Sequence, residues 1–362
     1  DLDYLVRFTN AASTQGNART VAYSPATGEA VAAGWGTSES LPLKVLVARV
    51  DAVSGKPVEA FGDRGLLRVD VGIASAGVMP EGATTGIAVD ESGLVYASGF
   101  LDTGTSLDVF LLRADATGLD AAFGSGGVAT RDVNAAGTSD VAFSMARDAA
   151  GRLNVAGYSL AAGNINTLLL RFLDDGTLDQ ELLVDQGGNV TDIGTALVIH
   201  ADGRRLVGGI RNGGATSFDF NLSSYTVAGA LDTGFAGTGR KTLPSPGTDQ
   251  ISAMTAHVPG TVAAVALTGT SQRIVRFVHD APLPFAFTPA AVTEIGTSTV
   301  VVSNAVAMQG LVGETYVKVQ GGEWSRNCAP GAFTAGEGVV GPGDTVCVRH
   351  TTSATTGVTV TT

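Results

Sequence analysis

The stretch "LDAAFGSGG", Leu119–Gly127, decides the fold because it recurs along the chain. Related versions are "VEAFGDRG" at Val58–Gly65, "LDQELLVDQGG" at Leu178–Gly188 and "LDTGFAGTG" at Leu231–Gly239. The phenylalanine or leucine of the motif stands at positions 61, 123, 182 and 235. A motif that returns at such regular intervals indicates one structural unit used several times.

Two further motifs keep the same period. An apolar strand ends in glycine, as "AVAAGW", "LVYASGF", "LNVAGYS", "RLVGGI" and, more weakly, "VAAVALTG". An alternating strand ends in Arg49, Arg113, Arg171 or Arg276, and in the fourth unit "LSSYTV" aligns Tyr225 with the arginine. Aspartate-glycine turns separate the strands. Each unit therefore predicts about four short strands, which is typical of a β-propeller blade.

The glycine strands also give a blade count. Five of them predict an all-β propeller of about five blades over residues 1–285. The opening "LDYLVRF" copies the arginine strand and is expected to close the ring by completing the fifth blade. Six blades, one of them partial, is the alternative. In the opening motif, leucine and phenylalanine are expected to be inward anchors, and a recurrent binding loop is the alternative interpretation.

A different pattern begins after the proline-punctuated "PLPFAFTP" at Pro282–Pro289. Short Val/Thr strands take over, and residues 286–362 are predicted to form a small immunoglobulin-like β-sandwich. Cys328 and Cys347 are the only cysteines of the chain. Two cysteines in such a segment predict one disulfide formed in an oxidising compartment. Two buried free thiols are the alternative.

Both parts of the chain resemble known bacterial units. Gly151–Gly157, Leu169–Arg171 and Leu119–Gly127 together resemble the delta-60 repeat, a propeller-like unit, over roughly residues 1–285. The third unit lacks the Phe-Gly pair and the fifth lacks the turn. The resemblance implies a secreted or cell-surface location and no established activity; the periplasm is also possible.

The C-terminal stretch "GGEWSRNCAPGAFTAGEGVVGPGDTVCVRHTT" resembles bacterial surface modules. This resemblance implies that Cys328 and Cys347 face each other across strands, and that one further strand follows the pattern seen here. We therefore expect an edge beside "GVTVTT" to dock a strand from a neighbouring subunit. A module that is monomeric, with its final strand clipped, is the alternative.

Charge and hydropathy exclude several partners. The net charge is −12 and the chain has four lysines. Such a surface repels phosphate backbones and anionic lipid headgroups, so nucleic acid is excluded as a partner. No uninterrupted run reaches the length of about 18 apolar residues that a membrane helix needs.

Candidate chemistry is sparse. His200, His257, His279 and His350 stand at no metal-ligand spacing, and no nucleophile elbow, P-loop or dinucleotide motif occurs. No cofactor is expected. Calcium in the Asp-Gly turns is an alternative to turn capping. Arg49, Arg113, Arg171 and Arg276 could bind an anion in a channel, or each could hydrogen-bond within its own blade.

Three functions remain open. The first is a non-enzymatic structural or interaction module at the cell surface, within an extracellular assembly or filament. The second is a carbohydrate- or small-ligand-binding propeller, with Trp35, Phe100 and Tyr158 as aromatic platforms, although packing between blades explains these residues equally well. The third is a hydrolase or lyase. Enzymatic activity is the less favoured interpretation, because aromatic residues make up 6% of the chain and there are four histidines. The fold itself does not decide the function.

Overall fold

The computed structural model describes residues 15–38, 41–72, 84–133, 138–161, 163–185, 191–212, 218–243, 249–258, 261–268, 271–278, 287, 300–309, 311 and 314–351. In these residues the protein is all-β, built from small antiparallel sheets, which confirms the predicted class. The chain divides into two compact units. The first comprises Asp1–Ile199, Gly203–Met254 and Ala264–Ile274, and the second comprises His200–Asp202, Thr255–Ala263 and Val275–Thr362.

Four sheets of the described chain have four strands each, in sequence order. The first sheet contains β1 (Gln15–Ser24), β2 (Glu29–Ser38), β3 (Leu41–Asp51) and β4 (Leu66–Val69). The second contains β5 (Thr84–Val89), β6 (Val95–Asp102), β7 (Leu107–Ala114) and β8 (Val128–Arg131). The third contains β9 (Asp140–Arg147), β10 (Leu153–Ala161), β11 (Asn164–Phe172) and β12 (Leu178–Val184). The fourth contains β13 (Asp192–Ile199), β14 (Arg205–Asn212), β15 (Phe218–Tyr225) and β16 (Arg240–Leu243).

A fifth sheet has three described strands, β17 (Asp249–Val258), β18 (Thr261–Thr268) and β19 (Ser271–Val278). The glycine motif therefore lies on the second strand of each of the first four sheets, and the arginine motif lies on the third strand of the first, second, third and fifth sheets. The predicted closing strand, Leu2–Phe8, lies outside the described residues. Ring closure, the number of blades and the boundary at residue 285 stay predictions.

The first four sheets pack face against face through apolar side chains. One cluster joins the first and second sheets around Val47, Phe61 and Phe110. Another joins the second and third sheets around Phe123 and Leu170, and a third joins the third and fourth. These strands are apolar along much of their length because both faces of a stacked sheet are covered.

A bulge explains the recurrent glycine of the second strand. In the third sheet the register shifts between Ala156 and Gly157. A β-carbon on Gly157 would lie 1.8 Å from the carbonyl oxygen of Val141. The corresponding distances are 1.9 Å at Gly34 and 1.8 Å at Gly209. Only glycine fits where a bulged neighbouring strand brings its carbonyl so close.

The repeated turn anchors each sheet. Phe61 and Phe123 are fully buried, and Phe235 is buried in the short 3-10 turn Phe235–Gly237. The turn also reaches the next sheet, because the amide of Gly62 donates to the carbonyl of Thr117 at 2.9 Å. The amide of Gly124 likewise donates to the carbonyl of Asp175 at 2.8 Å. The turn therefore fixes both its own sheet and the contact with the next one.

Besides parts of the fifth sheet, the second unit contains two small sheets in its described part. β25 (Thr345–Thr351) pairs with β20 (Val300–Val302) and β21 (Val306–Ala307) on one side and β23 (Glu323–Arg326) on the other. β22 (Thr315–Val317) pairs with β24 (Gly338–Val340). Apolar side chains around Trp324 fill the core. Cys328 and Cys347 form a disulfide, as predicted. The "GVTVTT" segment lies outside the described residues, and immunoglobulin-like topology stays a prediction.

Candidate functional site

The recurrent arginines connect neighbouring sheets. The guanidinium of Arg113 donates to the Asp120 carboxylate of its own sheet at 2.8 Å and to the carbonyl of Asp174 in the third sheet at 2.5 Å. Its carbon Cζ lies 5.4 Å from the centroid of the Phe123 ring. The Arg113 guanidinium therefore joins a carboxylate, a ring and the next sheet.

Arg49 repeats the whole arrangement, and Arg171 repeats its carboxylate and carbonyl contacts. Arg49 pairs with Glu29 and donates to the carbonyl of Asp115 at 3.0 Å, above the Phe61 ring. Arg171 pairs with Asp179 and donates to the carbonyl of Val227 at 2.6 Å. We call these three contacts the arginine latches. Anion binding by these arginines stays a prediction; the contacts described above use their N–H groups inside the protein. Arg276 lies in β19, and its side chain is outside the described set.

The fourth sheet corrects one alignment. The amide of Arg113 donates to the carbonyl of Gly127, and the amide of Ser224 donates to the equivalent Gly239. Ser224, not Tyr225, therefore stands at the latch position. Its hydroxyl donates to Asp232 at 3.0 Å, and Arg204 supplies the cation to the same carboxylate at 3.0 Å. The sequence "SSY" permits two alignments that differ by one residue, and the alignment of Tyr225 with the arginine is wrong.

A second polar network joins the same two sheets as the Arg113 latch. The hydroxyl of Tyr96 donates to the Asp174 carboxylate at 2.6 Å, and Arg147 lies 5.7 Å from the Tyr96 ring centroid. Burial, reinforced by the Asp174 contact, raises the pKa of the Tyr96 phenol. A phenol kept protonated by its own burial and by a neighbouring carboxylate is a fixed donor, so this network is part of the interface between sheets.

The three predicted aromatic platforms all contact one apolar cluster. Phe100 is buried within it, and Trp35 and Tyr158 pack against it from partly buried positions. The ring of Tyr158 lies 5.8 Å from that of Phe143, measured between centroids. The indole N–H of Trp35 is buried without a hydrogen-bond partner. Tyr158 and Trp35 thus keep part of their surface outside the core, whereas Phe100 does not.

Acidic residues lie at the same end of the second and third sheets as Tyr158. Asp140 is the first residue of β9 and is fully buried. Its Oδ2 accepts the amide of Val133 at 2.6 Å, while Oδ1 has no hydrogen-bond partner among the described residues. Burial raises the pKa of Asp140, and the charges of Asp132 and Asp108 add to the effect against hydrogen bonds from Ser159 and Val133.

The environment of Asp140 extends to its neighbours. Burial also raises the pKa of Asp108, with a contribution from Asp132. Burial and the charge of Asp140 raise the pKa of Tyr158. Titratable groups shifted together by burial and by one another are a common property of binding and active sites. We call Asp108, Asp140 and Tyr158 the acid–tyrosine group.

Sequence reasoning missed this group although a signal was present. Ser139-Asp140, Thr191-Asp192 and Thr248-Asp249 share a hydroxyl residue followed by aspartate. In each case the aspartate begins the first strand of a sheet and is fully buried. Neither carboxylate oxygen of Asp249 has a hydrogen-bond partner. The dipeptide follows the repeat period, but the many other aspartates in the turns make it hard to recognise in the sequence.

Metal ligands and membrane spans are the subject of two further observations. Across the described ranges, no three His, Cys, Asp or Glu side chains are grouped so that they could hold a metal ion. His279 lies outside these ranges, and the side chain of His257 is likewise not described. No helix in the described part of the chain is long and apolar enough to span a membrane.

No family model matches the chain, and no curated protein matches it. Among solved structures, a protein of unknown function from Dyadobacter fermentans is 13% identical, with a TM-score of 0.43 and 95% of this chain and 96% of that chain covered. A polysaccharide lyase is 10% identical, with a TM-score of 0.40 and coverage of 93% and 77%. A mannose phosphorylase from Leishmania mexicana is 10% identical, with a TM-score of 0.38 and coverage of 72% and 82%. These levels of similarity assign neither a family nor an activity to this chain.

Proposed function

We propose that the chain is a non-enzymatic extracellular interaction module that joins a cell-surface or filamentous assembly. The observation that carries the proposal is the edge strand β20 of the second unit. Among the described residues β20 pairs only with β25, and its Val300 and Val302 are 55% and 45% exposed. An edge of this kind, apolar and without charge, invites pairing with a strand from another chain.

The occupant we propose is a strand from a second copy of the chain. The disulfide of the same unit supports an oxidising location. The acidic net charge opposes assembly on nucleic acid or anionic lipid. The delta-60 resemblance and closure of residues 1–285 into a propeller of about five blades belong to the same proposal, in which the propeller is displayed outward from the assembly.

The test is the mass of the protein in solution. Size-exclusion chromatography with light scattering on the chain is expected to show masses above the monomer that grow with concentration. Val302→Lys places a charge on the edge and is expected to raise the dissociation constant by about tenfold or more. Val302→Thr keeps the branched shape without charge and serves as the control. A monomer at every concentration up to the micromolar range would overturn the proposal.

The acid–tyrosine group supports a second candidate, the binding of a hydroxyl-bearing ligand such as a carbohydrate. Carboxylate oxygens accept hydrogen bonds from sugar hydroxyls, and a partly exposed ring next to them offers an apolar face. The specific observation is that Asp108 and Tyr158 are only partly buried and both interact electrostatically with the buried Asp140. Titration with a panel of oligosaccharides is expected to give binding that Tyr158→Ala abolishes and Tyr23→Ala, on an exposed ring of β1, leaves unchanged. Cleavage of the bound sugar would instead support the hydrolase or lyase hypothesis, and no binding by any member would exclude this candidate.

A further inference from the structure

Each of the first four sheets has a bulge in its first strand. The register shifts leave one extra residue in each of these strands, namely Arg19 in β1, Thr85 in β5, Phe143 in β9 and Thr195 in β13. A bulge changes the direction of the side chain that it carries, and bulges are frequent next to active sites. Phe143 is the aromatic member of this set.

The threonines at the bulges connect neighbouring sheets. The hydroxyl of Thr85 donates to the carbonyl of Ala142 in the third sheet at 2.8 Å. The hydroxyl of Thr195 likewise donates to the carbonyl of Ile251 in the fifth sheet. A phenyl ring has no hydroxyl to donate. Phe143 therefore replaces a side chain that stabilises the contact between sheets elsewhere in the repeat.

Phe143 contacts Tyr158 of the acid–tyrosine group instead. The two ring centroids are 5.8 Å apart, and the ring planes are inclined by 43°. Both residues are partly buried and pack against the apolar cluster that contains Phe100. The core thus supports each ring on one side, and part of each residue stays in contact with solvent. We call Phe143 and Tyr158 the ring pair.

The charges next to the ring pair are mainly negative. Asp140 interacts electrostatically with Tyr158, and Asp108 and Asp132 act on Asp140 in turn. Asp108 is partly buried and Asp132 is exposed, so both residues reach the solvent. Carboxylate oxygens only accept hydrogen bonds when they are ionised, so they suit a ligand that carries donors.

The arginine beside these carboxylates does not reverse the sign of the charge. Arg131 interacts electrostatically with Asp132 and Asp140. Its guanidinium, however, pairs with the Glu181 carboxylate at 2.6 Å. The net charge of the whole chain is −12, which adds to the local excess. A ligand with a carboxylate of its own is therefore repelled from the ring pair.

We propose that Phe143 and Tyr158 together stack against one face of an uncharged pyranose ring, whose hydroxyls donate to Asp108 and Asp132. The C–H groups on the face of a pyranose are apolar, and they match the electron-rich face of an aromatic ring. This proposal rests on the carbohydrate-binding candidate above and adds to it a second binding residue and the charge class of the ligand. It is independent of assembly through β20.

The first test compares sugars that differ in charge. Calorimetric titration of the full chain uses neutral hexose oligosaccharides, each paired with the corresponding oligosaccharide of the uronic acid. We expect at least one neutral member to bind at low ionic strength, and its uronic acid counterpart to bind about tenfold more weakly or less. Equal or tighter binding of the uronic acid would overturn the proposal.

The second test removes the ring with the residue that the repeat itself has at this bulge. Phe143→Thr is expected to lower the affinity for the neutral sugar by about tenfold or more. Its thermal unfolding midpoint, followed by circular dichroism, shows whether the variant is folded. Phe143→Tyr keeps an aromatic ring and is expected to keep the affinity. Wild-type affinity in a folded Phe143→Thr variant would overturn the proposal.

Saturation-transfer NMR on the wild-type protein gives a readout that does not depend on the folding of a variant. Irradiation of the aromatic protons is expected to transfer saturation to the C–H protons on one face of the bound neutral sugar. Binding without any transfer to these protons would overturn the proposal.

The failure of this proposal can be distinguished from that of the candidate on which it rests. Binding that is lost in Tyr158→Ala but unchanged in Phe143→Thr would support the carbohydrate-binding candidate and overturn the role of Phe143. No binding by any member of the panel would overturn both.

Discussion

At the residue scale, Gly157 shows how a missing side chain holds a sheet in place. Its β-carbon would lie 1.8 Å from the carbonyl oxygen of Val141, which is far inside van der Waals contact. Gly157→Ala is therefore expected to destabilise the protein by about 1–3 kcal/mol or more, because the bulge must move. Chemical denaturation followed by tryptophan fluorescence or circular dichroism measures the change.

Gly234→Ala is the matched control. Gly234 has φ of −65°, which any residue adopts, and the nearest atom to its β-carbon would be a flexible Asp232 oxygen at 3.2 Å. We expect this change to be neutral or slightly stabilising, because alanine restricts the unfolded chain more than glycine. Equal losses in the two variants would contradict the bulge explanation.

Asp140 makes a prediction about pH. Its folded pKa is raised by burial, so its contribution to stability is complete below the unfolded value of about 3.9 and is lost as the pH rises through the higher folded pKa. Asp140→Asn cannot ionise and keeps an acceptor oxygen. Between pH 4 and 7 (a window of about three pH units above the unfolded pKa), the variant is expected to gain stability relative to the wild-type protein. A stability difference that does not change with pH would show that Asp140 stays ionised at low cost.

Single residues also show what sequence reasoning could reach. The recurrent arginines were identified from their spacing, but the carbonyls that accept from them lie about one repeat later in the chain. Asp115 and Asp174 are acceptors through their backbone oxygens, and a backbone oxygen leaves no trace in the amino-acid pattern. The Tyr225 alignment failed for a related reason, since the hydrogen bonds of Ser224, not side-chain size, define the position.

At the scale of strands and turns, the arginine latch gives the sharpest prediction. Arg113→Met keeps the length of the side chain but removes the contacts with Asp120 and the Asp174 carbonyl. Loss of these charge-assisted hydrogen bonds from a partly buried contact is expected to cost about 1.5–3 kcal/mol, because Asp120 loses its cation and the Asp174 carbonyl loses its donor. Denaturant unfolding measures the loss.

Arg68→Met is the control for the latch. Arg68 pairs with Asp63 at 3.2 Å, and the aspartate side chain is 72% exposed. A surface pair of this kind is expected to contribute about 0–1 kcal/mol. Similar losses of unfolding free energy in Arg113→Met and Arg68→Met would mean that the latch stabilises the protein no more than an ordinary surface pair.

The strands themselves were largely predictable, because both alternation and turn chemistry are local. The glycine and arginine motifs lie on the second and third strands of successive sheets as the repeat required. The acid–tyrosine group was not predicted as a group. Asp108 and Asp140 belong to different sheets, and their mutual effect on pKa arises only when β7 and β9 lie near each other. Packing between sheets, which sequence periodicity does not encode, brings them together.

At the scale of the whole molecule, the two units of the chain are stabilised in different ways. The first unit relies on sheets that cover each other and on latches between them. The second unit has short strands, a small core and a disulfide. A small core buries little apolar surface, so a covalent link has a larger share in its stability. Mutation of a latch and reduction of the disulfide are therefore expected to destabilise different parts of the chain.

Hydrogen exchange measured by mass spectrometry can distinguish stabilisation by the latches from stabilisation by the disulfide. The disulfide closes a sequence separation of 19 residues. In the chain-entropy treatment, such a crosslink stabilises by about 3 kcal/mol. Reduction is therefore expected to accelerate exchange in peptides from residues 300–351, while peptides from 84–133 and 163–185 are unchanged. Arg113→Met is expected to accelerate exchange in peptides from 84–133 and 163–185 and to leave peptides from 300–351 unchanged, because the contacts of Arg113 join the second and third sheets. Cysteines that react with an alkylating agent before reduction, or exchange that rises equally throughout the chain after it, would contradict this division of stability.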